Sequence, residues 1–157
     1  MILEHFYVFS YLGGMDLKDI HIQQIENLME YEFSHLVQES EEEGFSFLIR
    51  LINEFNKTGE CLYGVFQGDM LIGVGGLNED PYTKDNKIGR LRRFYISRDY
   101  RRIGLGNLLL NQLLCHAEKY FEVIVLHTDT KQGDVFYTAN GFVKGGLYKG
   151  SSHYKLL

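Results

Sequence analysis

The chain is predicted to fold as a single α/β domain of the mixed α+β type, in which a mixed sheet carries helices on its faces. Its 157 residues suffice for one domain rather than two. Apolar residues make up 45% of the chain and charged residues 24%, so there is enough apolar material for a core. Stretches with apolar residues at helical spacing also alternate with stretches of strand character along the chain.

The first sixty residues are predicted to hold one strand and two helices. His5 to Ser10 is predicted to be a short strand, and Asp16 is a suitable N-cap for the first helix. The acidic run Glu39–Glu43 would lie ahead of the second helix, where the helix dipole favours carboxylates, and we interpret Glu41–Glu43 as a solvated helix start rather than a metal site. The apolar stripes are Leu17, Ile20, Ile25 and Leu28 in the first helix, and Phe45, Leu48, Ile52 and Phe55 in the second.

From Cys61 onward strands dominate the prediction. Cys61–Phe66 and Met70–Leu77 should form a hairpin around the turn Gln67-Gly68-Asp69, followed by a polar loop. The later strands are predicted at Arg90–Ser97, Val123–His127, Phe142–Val143 and His153–Leu157. The later helices are predicted at Gly104–Tyr120 and Asp134–Asn140, the second closed by Gly141 in the left-handed cap position.

The net charge of −5 is unevenly distributed. Residues 1–60 hold 12 acidic and 3 basic side chains, whereas eight of the 16 Lys and Arg residues lie between Lys84 and Arg102. This pattern is compatible with a cationic substrate on one side and an anionic ligand on the other, or with ordinary solvated surface. A nucleic-acid partner is not expected, because the overall sign is wrong and the basic residues do not follow a helix.

A cytoplasmic location is expected for this chain. No apolar run approaches the roughly 18 residues of a membrane-spanning helix, and the first residues lack the basic start of a secretory signal, so no membrane partner is expected. Cys61 and Cys115 fit no CxxC or metal spacing, and we interpret them as two buried thiols in a reducing compartment.

The segment Arg101-Arg102-Ile103-Gly104-Leu105-Gly106 is the most informative one, since it lies between a predicted strand and a predicted helix. Glycine at two positions allows the backbone to curl closely around a ligand. The unpaired amides of the first helical turn would then point at an anion, with a diphosphate as the natural guest. The segment is neither a P-loop nor a dinucleotide fingerprint.

A second motif, Phe136-Tyr137-Thr138-Ala139-Asn140-Gly141-Phe142, begins 30 residues after Gly106. Together with the glycine-containing segment, this order of strand, loop, helix, strand and helix resembles the GNAT superfamily of acyl-CoA-dependent N-acetyltransferases. The resemblance covers roughly Cys61 to Val143 and implies a single N-acetyltransferase domain over residues 1–157. It also implies a GNAT-like central sheet, mixed and mostly antiparallel, flanked by about four helices.

The resemblance implies roles for particular residues, with acetyl-CoA as cosubstrate. The strand before the loop would offer backbone groups to the pantetheine arm of CoA. Tyr137 would stand near the sulfur as general acid, and no metal is implied. The cofactor-binding residues implied are Phe94, Tyr95 and Ile96 on the strand, and Arg101, Arg102, Ile103, Gly104, Leu105 and Gly106 in the loop.

The chain departs from the family pattern at the general base. Many relatives carry a glutamate at the start of the third strand, where this chain has Gly89-Arg90. Glu79 and Asp80 are the nearest substitutes in sequence, and we take Glu79 as the candidate base. His127 closes a predicted buried strand, so a structural role is expected for it.

The function predicted is transfer of an acetyl group from acetyl-CoA to a primary amine of a small molecule or peptide. Neither cysteine lies in a motif suited to an acyl-enzyme, so direct attack is favoured. The alternative is a non-catalytic module that binds or senses acyl-CoA, which the missing strand glutamate favours. Dimerisation is common in the family, so a homodimer is compatible with the resemblance.

Overall fold

The computed structural model of the chain describes residues 6–8, 11–12, 15–16, 19–45 and 55–157. The strands in these ranges are β1 (Phe6–Val8), β2 (Tyr11–Leu12), β3 (Met15–Asp16), β4 (Ile20–Gln24), β5 (Cys61–Gln67), β6 (Met70–Glu79), β7 (Ile88–Ile96), β8 (Val123–Leu126), β9 (Val143–Lys144) and β10 (His153–Leu156). The helices are α1 (Ser34–Glu42), α2 (Leu105–Ala117) and α3 (Lys131–Ala139). None of the helices formed by these residues has the length and apolar character needed to span a bilayer.

Eight of the strands form one sheet, in the order β1-β4-β5-β6-β7-β8-β10-β9, while β2 and β3 pair with each other. Neighbours in the large sheet are antiparallel except β7 and β8, which run parallel. The predicted fold class, a mixed and mostly antiparallel sheet flanked by helices, is confirmed. The described ranges contain three α-helices rather than about four.

The first predicted helix is wrong, because its residues form strand β4 between β1 and β5. Ile20 and Ile22 are both buried and stand two residues apart, which is the period of a strand. Their β-branched side chains also favour that conformation. Ile25 is buried just beyond the end of the strand, and Leu28 begins a short 3-10 helix, Leu28–Glu30, so no α-helix joins these residues.

The next helix is placed differently from the prediction. Because α1 runs over Ser34–Glu42, the acidic run Glu39–Glu43 forms its C-terminal end rather than the start of a helix. The helix dipole does not stabilise carboxylates there, and their partners come instead from β7 and the loop after it. Most of the helix predicted around Leu48 and Ile52 lies outside the described residues.

The elements from Cys61 onward lie close to their predicted positions. The β5–β6 hairpin turns at Gly68, which has a φ of +58°. α3 begins earlier than predicted because Thr130 caps it, accepting a hydrogen bond from the Gly133 amide at 3.0 Å. Gly141 follows α3 with a φ of +87°, the left-handed conformation predicted for it.

The core lies on both faces of the central strands. One cluster packs α2 against the sheet through Leu105, Leu109 and Leu113. The other cluster covers the opposite face and includes Leu36 of α1. Because both faces are covered, β5 and most of β6 are buried along their length.

The two cysteines are both free, but only Cys61 is buried. Burial raises the pKa of the Cys61 thiol, which therefore stays protonated and unreactive. Cys115 is exposed on α2, so the expectation of two buried thiols is wrong for this residue.

Strand β7 is paired with β6 along most of its length but with β8 only at its beginning. The β7–β8 register covers Ile88 to Arg90 alone. The β6–β7 register shifts between Val74 and Gly76, and Arg93 in the bulged strand has a φ of +58°. One edge of β7 is therefore left open beyond Arg90.

A buried ion pair closes the sheet at the start of this opening. Arg90 Nε donates to Asp80 Oδ1 at 2.9 Å, and the two side chains are 7% and 2% exposed. The same guanidinium donates to the carbonyls of Gly150 at 2.9 Å and Lys149 at 3.1 Å. The Tyr82 ring lies 4.8 Å from Arg90 Cζ. Arg90 thus joins β7, the β6–β7 loop and the loop before β10.

Replacing Asp80 by asparagine should lower the free energy of unfolding by about 3 kcal/mol, because it leaves a buried guanidinium without its counter-charge. Urea denaturation measures this loss. Glu122→Gln is the control, since it breaks the exposed Lys87–Glu122 ion pair. Its loss of unfolding free energy should be about 0.5 kcal/mol or less. Equal losses in the two variants would contradict the buried role of Asp80.

Candidate functional site

A cavity of about 1040 Å³ occupies the space that opens between β7 and β8. The end of α1, the loop before α2, the start of α3 and the residues after β8 complete its walls. Its lining includes eight of the residues predicted for the site, namely Phe94, Tyr95, Ile96, Arg101, Arg102, Gly104, Gly106 and Tyr137. The structure thus brings the two sequence motifs to one cavity.

The glycine-containing loop presents the N-terminus of α2 to this cavity. Gly104 is the N-cap residue with a φ of +90°, and no side chain caps the first turn. The helical hydrogen bonds begin at Leu108, whose amide donates to Gly104 O at 3.1 Å. The preceding amides of the first turn, which have no acceptor within a helix, can bind an anion.

Ile103 and Leu105 are absent from the lining, unlike the other predicted loop residues. Leu105 is buried, and Ile103 packs against the same core cluster. Their side chains therefore anchor the loop to the core, while only their backbone groups could serve a ligand.

Arg101 is held by protein groups rather than turned toward the helix N-terminus. Its guanidinium donates to Glu43 Oε2 at 2.8 Å and Oε1 at 2.6 Å, and its Nε donates to Ile96 O at 2.8 Å. The pKa of Arg101 is raised, first of all by the hydrogen bonds to Glu43. Arg102 is exposed and, among the described residues, forms no ion pair, so it remains the loop cation available to a ligand.

Two carboxylates at the end of α1, those of Glu39 and Glu43, face β7 and the loop after it rather than solvent. Glu39 accepts hydrogen bonds from Tyr95 Oη at 3.2 Å, from Ser97 Oγ at 3.1 Å and from the amide of Arg98. Tyr95 Oη also donates to Glu43. The interpretation of Glu41–Glu43 as a solvated helix start is therefore wrong for Glu43.

The pKa of Glu43 is lowered mainly by the hydrogen bonds from Arg101, with a further contribution from Tyr95. The pKa of Tyr95 is raised, first by burial and then by its hydrogen bond to Glu43. Tyr95 therefore stays protonated and acts as a fixed donor that ties α1 to β7.

Tyr137 on α3 is surrounded by aromatic rings at the wall of the cavity. Its ring centroid lies 5.0 Å from that of Phe136, 5.6 Å from Phe142, 6.1 Å from Phe94 and 6.3 Å from His153. Burial raises the pKa of its phenol, which is therefore protonated at neutral pH. In the described part of the chain no group forms a hydrogen bond with its hydroxyl, so the proton is available to a ligand.

A polar network holds α3, and with it Tyr137, against β10. Asp134 Oδ1 lies 2.7 Å from His153 Nε2, and His153 Nδ1 lies 2.8 Å from Ser152 Oγ. The pKa of Asp134 is lowered, first by the hydrogen bond with His153 and then by that with Lys144. His153 is buried, so this network belongs to the packing of the helix.

Glu79, the predicted base, is absent from the cavity lining. Its carboxylate faces Lys57 Nζ at 3.7 Å, at the end of β6. Its sequence neighbour Asp80 is bound to Arg90. Neither carboxylate is free to take a proton inside the cavity.

Among the lining residues that were not predicted for the site are His127, Glu43 and Arg92. His127 is exposed, so the expectation of a buried structural histidine is wrong, and it follows β8 directly on the open side. Glu43 could have been found from the four-residue spacing between Glu39 and Glu43, which places both on one helix face. Arg92 carries no sequence signal beyond its position in an arginine-containing strand.

Replacing Glu43 by glutamine should lower the free energy of unfolding by about 1 kcal/mol at pH 7, as expected for a partly exposed, hydrogen-bonded ion pair. The folded-state pKa of Glu43 lies below its usual 4.5. The stabilisation is therefore fully present above that value and is lost as the pH falls through the folded pKa.

Urea denaturation of both proteins between pH 7 and pH 3 checks this difference, which should shrink at the acidic end. Glu41→Gln is the matched control, because Glu41 is exposed on the same helix. A loss that is independent of pH, or one shared by the control, would contradict the role assigned to the Glu43–Arg101 pair.

The comparisons with known proteins agree with this geometry. A family model described as an acetyltransferase (GNAT) domain matches residues 58–144. No curated protein matches the chain at a significant level.

Solved structures resemble the fold over most of its length. A protein assigned as an acetyltransferase from Exiguobacterium has a TM-score of 0.79 at 23% identity, covering 88% of this chain and 93% of its own. An acetyltransferase from Streptococcus agalactiae has a TM-score of 0.70 at 19% identity, with coverages of 89% and 99%. A GNAT family acetyltransferase from Elizabethkingia anophelis, solved with acetyl-CoA bound, has a TM-score of 0.62 at 16% identity, with coverages of 89% and 99%.

At identities below 25%, the solved structures support the fold alone. The family model matches more than half of the chain and therefore shows the family. The matched region runs from just before β5 to β9 and contains the open edge of β7, the glycine-containing loop and Tyr137. The chain therefore belongs to the GNAT acetyltransferase family, whose members use acetyl-CoA.

Proposed function

We propose that this acetyltransferase moves the acetyl group of acetyl-CoA directly to a primary amine of a small molecule or peptide, without a covalent enzyme intermediate. The observation that carries the proposal is the cavity itself. It joins the N-terminus of α2 to the hydroxyl of Tyr137 along the open edge of β7.

The CoA diphosphate would bind the first-turn amides of α2, with Arg102 adding a charge-assisted contact. The Arg101 guanidinium is occupied by Glu43. Arg101 would instead stabilise the loop through its hydrogen bonds to Ile96 and Glu43.

The pantetheine arm would run along β7 from Ile96 toward Phe94. The Ser97 amide donates to Ile72 O on β6 at 2.8 Å. Because backbone groups alternate in direction along a strand, the groups of Ile96 point away from β6, toward the opening. The Ile96 carbonyl accepts from Arg101, so its amide is the group left for the ligand.

In the reaction, the lone pair of the amine attacks the thioester carbonyl carbon, the C–S bond breaks, and CoA leaves as the thiol. A backbone amide of the bulged strand would stabilise the developing oxyanion. Tyr137 would donate its phenolic proton to the leaving sulfur. A lysine-like ammonium, with a pKa of ~10.4, is protonated at neutral pH and has no lone pair for the attack. The amine must therefore lose a proton, which would pass to water in the open cavity.

We also propose a cytoplasmic location, which the two free thiols support. Homodimer formation stays a prediction from the family resemblance.

Replacing Tyr137 by phenylalanine should lower kcat about 100-fold, because the leaving thiolate loses its proton donor, while the affinity for CoA should stay close to that of the wild type. A thiol-release assay measures the rate and calorimetry the affinity. Tyr120→Phe is the control, since Tyr120 is exposed at the end of α2, away from the cavity. Loss of affinity with unchanged kcat would make Tyr137 a packing residue instead.

Replacing Gly104 by alanine should weaken CoA binding at least about tenfold. An alanine at a φ of +90° is strained by about 1 kcal/mol or more, and its methyl group would stand in the open space that we assign to the diphosphate. Calorimetry with CoA measures the change. Gly146→Ala is the control, because Gly146 also has open space around it but no positive φ and no place in the lining. Unchanged affinity for CoA in the Gly104 variant would contradict the assignment of this loop to the diphosphate.

A further inference from the structure

Guanidinium groups dominate the charge of the cavity. Five arginines line it, namely Arg90, Arg92, Arg93, Arg101 and Arg102. Arg90 is neutralised by Asp80 and Arg101 by Glu43. Arg102 belongs to the loop that we assign to the CoA diphosphate, and Arg93 stands at the bulge of β7, so the charge of Arg92 is left to be explained.

Arg92 is a half-buried residue of β7 whose guanidinium has no counter-charge in the part of the chain that the structure describes. Within residues 19–45 and 55–157, no side chain forms an ion pair or a hydrogen bond with it. Keeping such a cation partly out of water costs free energy unless a partner arrives. Of the carboxylates in the cavity lining, Glu43 is paired with Arg101, and Asp129, which is exposed beyond β8, forms no ion pair with Arg92.

Arg92 lies on the face of the sheet that α2 does not cover. It is paired with Gly76 of β6, and a Cβ at Gly76 would approach the Phe55 ring within 2.5 Å. Paired residues project to the same side of a sheet. By contrast, a Cβ at Gly75 would meet Leu113 of α2 at 2.8 Å, so α2 covers the opposite face.

The position along β7 separates Arg92 from the phosphate loop. Arg92 precedes the bulge, whereas Ile96 and the loop follow it. At a strand rise of about 3.3 Å per residue, the four steps from Arg92 to Ile96 span about 13 Å. If the pantetheine arm fills that span, Arg92 lies beyond the thioester, where the acceptor must enter.

We propose that the acceptor of this enzyme is an amine that also carries an anionic group, a carboxylate or a phosphate, and that Arg92 binds this group. The inference rests on the proposed function and names the substrate class of the same site. A guanidinium forms two parallel hydrogen bonds with either group, so it fixes the orientation of the acceptor as well as its charge. A purely cationic acceptor such as a polyamine would be repelled by the same residue.

The experiment compares matched acceptors in a thiol-release assay. Each amino acid is paired with its amide, and each phosphorylated amine with its dephosphorylated counterpart, so the two arms distinguish carboxylate from phosphate. In the wild type, the anionic member of at least one pair should have a kcat/KM at least about tenfold higher than its neutral partner. Equal kcat/KM values within every pair would overturn the proposal without any mutant.

The Arg92→Gln variant tests the residue itself. Its ratio of kcat/KM between anionic and neutral acceptor should fall at least about tenfold, whereas Arg92→Lys should keep part of the preference. Lys84→Gln is the charge-matched control in the exposed β6–β7 loop, outside the cavity lining, and should keep the wild-type ratio. A ratio unchanged in Arg92→Gln, or lowered equally by Lys84→Gln, would overturn the proposal.

A binding measurement separates this proposal from the proposed function. If CoA binds but no amine is acetylated, the proposed function fails. Calorimetry on the CoA-loaded protein then compares N-acetylated amino acids and N-acetylated phosphorylated amines with their neutral counterparts. Tighter binding of the anionic member, lost in Arg92→Gln, would support the anion site. Equal binding of both members, or binding of neither, would overturn it.

Discussion

The separation of β7 from β8 after Arg90 is the constraint on which the site depends. A continued parallel ladder would satisfy the backbone groups of β7 and fill the space that is now a cavity. The bulge at Arg93 turns the strand, and the ladder to β8 ends before it. The opened edge then leaves backbone donors and acceptors for a ligand that is itself rich in amides. In this fold, a missing stretch of sheet becomes a binding surface.

Some acidic residues of the first part of the chain are partners of the basic middle. Glu42 lies 3.2 Å from Arg98, and Glu43 lies 2.6 Å from Arg101. These pairs fasten α1 to the end of β7 and to the loop that follows. For these residues the uneven charge of the sequence reflects contacts within the protein rather than the charge of a substrate.

Local signals in the sequence predicted much of the fold and part of the site. The elements from Cys61 onward, the glycine-containing loop and the position of Tyr137 follow from short-range patterns of glycine, apolar spacing and capping. β4 could not be predicted in this way, because its strand conformation depends on pairing with β1 and β5. The pairing of Arg101 with Glu43 was equally inaccessible, since it joins positions 58 residues apart. Glu79 was chosen by closeness in sequence, whereas the cavity is lined by residues that only the sheet order brings together.

The bonds of Arg90 have a consequence for how this chain can vary in evolution. One side chain holds Asp80, Lys149 and Gly150 in place. A glutamate at position 90 would place a second carboxylate beside buried Asp80, and the two would repel each other. It would also leave the carbonyls of Lys149 and Gly150 without their donor. Arg90 and Asp80 should therefore be inherited as a unit, so that a lineage which abandons one must also replace the other.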